Sequence, residues 1–308
     1  YVFPVQIDAK GSIDLRLLVE TGSSMQVPIY IWQPERFIAS KSIEILMFGL
    51  LIGAMVVMVI YNFLLFLSTR EKSYLYLAAT AFFYALIQSD LTGISFAHLW
   101  PHAPSWNDKS LIIVSNCGVI CLSLFSSEFL RLDEKSVFTK YLLKACNLVA
   151  VLWMVLTPFV AYQYLIIGTA GIIALIPLIA YAEGIRLWLT GYVPARYFVF
   201  AFSLFVVATS IFALNKAGII DRNIFTEYFM NVGAMAIVSL LSLALADQVN
   251  QEKRAKEAAQ SLAIIALRKF ENIYNNSSEG IFQLDAQGQF LAVNPAFLRI
   301  MKVESLTQ

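Results

Sequence analysis

About 20 consecutive apolar residues, rising roughly 1.5 Å each, are needed to cross the hydrocarbon core of a bilayer. Seven stretches of this chain reach that length: Ile43–Leu67, Tyr74–Trp100, Ser110–Leu130, Tyr141–Ala161, Tyr164–Leu189, Ala195–Ile220 and Phe225–Val249. Lipid offers the backbone no hydrogen-bonding partner, so stretches of this kind must fold as helices. The expected fold class is therefore mainly α, a bundle of seven transmembrane helices over residues 39–249. Composition agrees, because 59% hydrophobic and 14% charged residues, with a mean hydropathy of +0.69, lie far from soluble usage.

The charges gather at segment ends, joints and termini. A net charge of +1 and the lack of a basic stripe with interleaved aromatics exclude nucleic acid as a partner. Lys and Arg near helix ends set orientation. With the N-terminus outside, eleven fall on the inner side (Arg70, Lys72, Arg131, Lys135, Lys140, Lys144, Arg186, Arg196, Lys253, Arg254 and Lys256). Five fall on the outer side (Arg36, Lys41, Lys109, Lys216 and Arg222). An odd number of spans then places the C-terminal tail in the cytoplasm. The chain begins at Tyr1 without an initiator Met or a leader pattern, and is read as a piece whose upstream residues and signal peptide are missing.

Before the first span, Ile13, Leu15, Leu17 and Val19 alternate with polar residues, and Val27 to Trp32 repeats the pattern after Thr21-Gly22-Ser23-Ser24. Period-2 alternation around a turn predicts strands. Residues 1–38 are expected to be the last strands of a larger extracytoplasmic β-domain; the alternative is a short β-ribbon on the membrane surface. A few strands alone bury too little to be stable.

After the seventh span no Pro or Gly interrupts Ala246 to Glu257, so the helix is expected to continue through residues 250–269. Ala255, Ala258, Leu262 and Ile265 fall at 3-4-3 spacing, the stripe of a paired signalling helix in a homodimer. The other reading is a single amphipathic helix packed on the next domain. Gly280–Leu284 and Gln289–Val293 then read as two strands around an Asp-x-x-Gly turn, and Asn294-Pro295-Ala296-Phe297 as a helix start. Residues 270–308 resemble the opening of a PAS sensor domain, with Asn294 and Pro295 at its turn. The part of such a domain that builds a ligand pocket lies outside these residues. No cofactor is expected in this segment, and the PAS ligand is unknown.

The order of parts resembles one family, the bacterial seven-transmembrane receptors with diverse intracellular signalling modules. Ile13-Asp14-Leu15-Arg16 and Pro28-Ile29 fit the family's closing jelly-roll strands, and Tyr61-Asn62 with Tyr74-Leu75-Tyr76 fits its first membrane hairpin. The resemblance implies a receptor in the bacterial cytoplasmic membrane, responding to an extracytoplasmic ligand of unknown identity. It also implies a downstream output such as a diguanylate cyclase, a cyclic-di-GMP phosphodiesterase or a histidine kinase, which these residues do not contain. The segment itself is expected to be non-enzymatic. A transporter or an intramembrane enzyme with a regulatory tail is the alternative.

Ionisable residues inside a membrane are costly and mark functional candidates. Asp90 is one, at a depth that depends on whether its helix ends near Ile94 or continues to Trp100. Glu183 and Arg186 sit one turn apart and can pair, as a relay or as a structural element. Asn62, Asn116, Asn147 and Asn215 are expected to hydrogen-bond between helices. Pro158 and Pro177 are expected to bend or end their helices. His98 and His102 flank Trp100-Pro101, which breaks any helical metal-binding spacing, so no metal site is expected. Cys117, Cys121 and Cys146 read as small apolar residues. No catalytic constellation appears, and Phe225–Val249 holds no Lys for a retinal Schiff base.

Overall fold

A computed structural model of the protein describes Arg16, Leu18, residues 29–216, Ile220 and residues 224–303. The strand expected over Ile13–Val19 lies almost wholly outside the described residues. Of the second, only Ile29, Tyr30, Ile31 and Trp32 are described, and they lie in irregular chain. The chain divides into two compact units, residues 1–245 and 246–308.

The first unit is the bundle. Helix α1 (Pro34–Thr69) starts well before the apolar run, because Pro34 and Glu35 suit a first helical turn. It closes on Arg70, whose left-handed backbone sends its N–H to the Phe66 carbonyl at 2.8 Å. Helix α2 (Lys72–Thr92) corrects the expectation of one span from Tyr74 to Trp100. Gly93 takes a φ of +79°, caps α2 by bonding the Asp90 carbonyl at 3.1 Å, and a separate short helix α3 (Ile94–His98) follows. Glycine adopts that conformation without a Cβ penalty.

Helices α4 (Pro104–Phe129), α5 (Leu132–Lys135) and α6 (Val137–Leu156) come next, and α6 stops just before Thr157-Pro158. Helix α7 (Tyr162–Leu189) runs continuously through Pro177. Helices α8 (Val193–Lys216) and α9 (Ile224–Asn276) follow. The helices thus form a mainly α membrane bundle. Among the described residues, six are long and apolar enough to cross a membrane by length and composition. The remaining long helix, α2, packs against both α1 and α4 and buries Tyr74, Leu77, Ala78 and Ala81. Neighbouring helices cover that face, while Phe82 and Leu91 stay exposed.

Lipid tails are as apolar as Leu, so helices in a bilayer associate through close approach and interhelical hydrogen bonds. Both devices are present. A Cβ placed on Gly233 of α9 would lie 2.5 Å from Ala208 Cβ of α8, and one on Gly184 of α7 would lie 2.9 Å from Phe198 Cδ1 of α8. Four buried aromatics stack through the same region. Phe125 and Phe129 of α4 lie 5.4 Å apart, Phe129 is 5.9 Å from Phe198, and Phe198 is 4.3 Å from Phe202. Tyr181 of α7 extends the column 6.4 Å beyond Phe202.

The second unit contains the rest of α9, the strands β1 (Phe282–Leu284) and β2 (Phe290–Val293), and α10 (Pro295–Met301). The strands pair antiparallel, Phe282 opposite Val293 and Leu284 opposite Phe290, with an irregularity after Gln283.

Two alanine substitutions separate packing from helix propensity. Gly233→Ala is expected to lower the thermal midpoint of the solubilised protein, because the new methyl meets Ala208 and overpacking costs about 1–3 kcal/mol. Gly171→Ala in α7 meets nothing within 4 Å. It should leave the midpoint unchanged or raise it, since Ala is favoured over Gly in a helix by about 1 kcal/mol.

Candidate relay sites

Glu183 is buried inside α7, and the chain around it supplies what a carboxylate there needs. Thr139, in the first turn of α6, donates from Oγ1 to Glu183 Oε2 at 2.9 Å. Ser136 Oγ donates in turn to Thr139 Oγ1 at 2.9 Å. From the next turn of α7, Arg186 Nε lies 3.0 Å from Oε1 and 3.1 Å from Oε2, and Nη2 also donates to Oε1. Arg186 is half-exposed, with 51% of its side chain accessible, so its guanidinium reaches outward while its partner stays inside. The carboxylate also lies beside the N-terminal turn of α6, where the helix dipole favours negative charge. Charge compensation and a tie between α6 and α7 are thus built at one point.

Asp90 contrasts with this. It occupies the last turn of α2, about 27 Å along the helix from Lys72 at 1.5 Å per residue. Both carboxylate oxygens are buried, and neither has a hydrogen-bond partner among the described residues.

The amides expected to bridge helices divide by what the structure offers them. Asn62 of α1 is fully buried and accepts a bond from Ser242 Oγ of α9 at 2.9 Å, while its Nδ2 donates to the Met58 carbonyl. Asn116 of α4 donates to Thr169 Oγ1 of α7 at 3.2 Å and to the Ile112 carbonyl. Asn147 Oδ1 is buried without a partner among the described residues. The side chain of Asn215 lies outside what is described. Sequence reasoning missed the cluster joining α2 to α9. There Tyr84 Oη reaches Asn231 Oδ1 at 3.2 Å and the Met230 carbonyl at 3.3 Å, and accepts a bond from Gln88 Nε2 at 2.9 Å. It also missed Thr139 and the aromatic column, for which the i,i+4 pairs Phe125/Phe129 and Phe198/Phe202 were a readable signal.

His98 and His102 are exposed on either side of a non-helical break, and no group of three metal-binding side chains occurs among the described residues. Cys117, Cys121 and Cys146 are free thiols, with Cys117 Sγ 3.7 Å from Met154 Sδ.

In the second unit, Ala255, Ala258, Leu262 and Ile265 all lie exposed along α9. Further on, Asn294 organises the hairpin. Its Oδ1 accepts from the N–H groups of Ile281 at 2.9 Å and Phe297 at 2.8 Å. Its Nδ2 donates to the carbonyls of Tyr274 at 3.0 Å and Glu279 at 2.9 Å. One fully buried amide therefore joins the end of α9, the start of β1 and the N-terminus of α10, where Pro295 occupies the first turn. Asp285 closes the turn between the strands by accepting from the N–H groups of Gln287 and Gln289, with Gly288 at a φ of +83°.

A bundle of long apolar helices continuing into an Asn-capped hairpin is the build of a multi-pass membrane protein carrying a sensory module. The chain belongs to the 7TM diverse intracellular signalling family, whose model matches residues 44–248, more than half of its length. Residues 268–308 match the model of a PAS domain. Both are sensory rather than catalytic domains, which makes the chain a membrane sensory and signalling receptor. No curated protein and no solved structure matches it.

Two sets of variants measure these sites. Arg186→Leu leaves the Glu183 carboxylate buried beside hydroxyls alone. The expected loss is about 2 kcal/mol, below the 3–5 typical of a fully buried pair because Arg186 is half-exposed. The double variant Glu183→Leu/Arg186→Leu should recover most of it, read as thermal midpoints in detergent. Asn294→Ala strands four backbone groups and is expected to cost the hairpin about 3 kcal/mol. Hydrogen exchange at the Ile281 and Phe297 amides should rise accordingly while the bundle stays protected.

Proposed function

We propose that this receptor transmits an extracytoplasmic or membrane stimulus through its seven helices and the coiled-coil linker that continues the last of them, α9, to the PAS module, and from there to a cytoplasmic output. In this reading it lies in a bacterial cytoplasmic membrane with its N-terminus outside and its C-terminus inside, as the Lys and Arg distribution favours. Two copies work together, paired along α9.

The observation that carries the reading is α9 itself, an unbroken helix from Ile224 to Asn276. At 53 residues it far exceeds the 20 or so that a bilayer requires. Beyond its apolar half, a single copy leaves Leu262, Ile264, Ile265, Leu267, Phe270 and Ile273 more than half exposed. So much apolar surface on a helix surrounded by charge marks an interaction face. The 3-4-3 stripe at Ala255, Ala258, Leu262 and Ile265 supplies a register for a second copy, small at one end and large at the other. A weak interface suits a switch, because two arrangements separated by only a few kcal/mol can be repopulated by a ligand. Asp90, Glu183 and Arg186 are the candidate intramembrane relay groups.

The test uses the full-length protein in membranes, with Cys117, Cys121 and Cys146 replaced by Ala. Ala258→Cys should form an oxidative cross-link between copies. Adding Leu262→Lys and Ile265→Lys removes two apolar contacts worth about 1.5–3 kcal/mol each and should reduce cross-linking about tenfold or more, with a changed output. Unchanged cross-linking together with unchanged output would make α9 a passive tether.

A further inference from the structure

Half-way along α4, two thiols and a thioether gather at the contact with α6. Cys117 Sγ lies 3.7 Å from Met154 Sδ. Cys121 follows one turn later on the same face of α4, where residues four apart have Cβ atoms about 5–6 Å from each other. Helical side chains lean back toward the N-terminus, so Cys121 leans toward Cys117, and the two thiols lie within electrostatic reach of each other. All three residues are half-buried, and both thiols are free. No charged residue occurs on α4 between Lys109 and Glu128, so that helix offers a cation neither a competing partner nor repulsion here. His, Cys, Asp and Glu side chains alone form no group of three among the described residues, and the thioether is what completes this set.

We propose that Cys117, Cys121 and Met154 bind a soft monovalent cation of the Cu(I) and Ag(I) class, and that the bound ion clamps α4 to α6. Thiolates and thioethers select such ions, whereas hard cations require oxygen ligands. With metal–sulfur bonds of about 2.3 Å, the three sulfurs of a trigonal site stand about 4 Å apart. Cys117 and Met154 already have nearly that separation. On binding, the S–H bond of one thiol breaks, its sulfur bonds to the metal, and the proton leaves to water; no electron is transferred. One thiolate then balances one positive charge, while the second thiol and the thioether donate without adding any. A neutral centre suits an apolar bundle, where a net charge is costly. A structural zinc ion would need a fourth ligand that this set does not supply. The effect of occupancy on output rests on the receptor reading above; binding itself does not.

The experiment uses full-length protein in phosphatidylcholine nanodiscs, with Cu(I) supplied without oxygen and buffered by excess bicinchoninate. The unaltered protein should retain a stoichiometric ion, and X-ray absorption should show sulfur neighbours alone at about 2.3 Å. Met154→Leu conserves volume and both thiols, yet should weaken retention about tenfold or more, at least the loss seen when an outer-shell partner of a metal ligand is removed. Cys117→Ala/Cys121→Ala should abolish retention, and Cys146→Ala should leave it unchanged. Failure of the unaltered protein to retain a stoichiometric ion, or oxygen or nitrogen neighbours in its spectrum, would overturn the site whatever the variants do. Retention that survives Cys117→Ala/Cys121→Ala would overturn it equally. The cross-linking test of α9 is made without these cysteines, so failure here leaves the receptor reading standing. Stoichiometric binding with unchanged output supports the site and strikes only its coupling to that reading.

Discussion

Every feature of the bundle follows from the fact that lipid neither hydrogen-bonds to a backbone nor drives apolar helices together. The first condition makes each span a continuous helix. The second means that packing must come from shape and from polar side chains meeting across helices. Gly184 against Phe198 and Gly233 against Ala208 supply the shape. Asn62 with Ser242, Asn116 with Thr169 and Glu183 with Thr139 supply the polar ties. Each tie is modest, averaging about 0.6 kcal/mol for membrane hydrogen bonds, and so can be remade in a second arrangement. A receptor needs contacts of that strength.

The same condition explains what the amino-acid sequence alone reveals. Apolar runs announce themselves by length, so the existence of the helices was legible, as were the hairpin and its Asn-Pro start. Boundaries were less so. A single residue, Gly93, ended α2 well short of Trp100, and the polar start of α1 at Pro34 lay outside the hydropathy signal. Partners were least legible of all. Glu183 and Arg186 are neighbours in sequence, but Thr139 comes from 44 residues away, and Tyr84 meets Asn231 across 147. One-dimensional patterns carry no information about which helices adjoin. Asp90, singled out as a costly intramembrane charge, gained no partner for its carboxylate among the described residues. Ordinary residues such as Tyr84 and Gln88 formed the more developed polar site.

Asn294 illustrates a different kind of legibility. Its position before Pro295 signals a helix cap, which accounts for one of its four side-chain bonds. The other three reach back to the end of α9 and the start of β1, so a residue read as a local stop is also the joint between the long helix and the sheet. A change in the last turns of α9 acts directly on a bond to the Tyr274 carbonyl. The hairpin is therefore tied to the end of the helix through a single amide.

The first and last helices of the bundle are also the longest, at 36 and 53 residues against 20 to 28 for the other spans. A helix that only crosses the bilayer needs no such length, so the excess on α1 and α9 belongs to what lies on either side. These two helices meet inside the bundle, where Ser242 donates to Asn62, and both border a cleft that contains Gln88 and Asn231. The route from one end of the chain to the other therefore does not have to pass through five intervening helices in turn. On the receptor reading, α1 and α9 form the moving pair, and the close-packed column from Phe125 to Phe202 is the frame against which they move. Lipid contacts along α1 cost little to rearrange, whereas a stacked aromatic core resists deformation. Motion should concentrate where packing is thinnest, along α1, the least buried of the six apolar spans among the described residues.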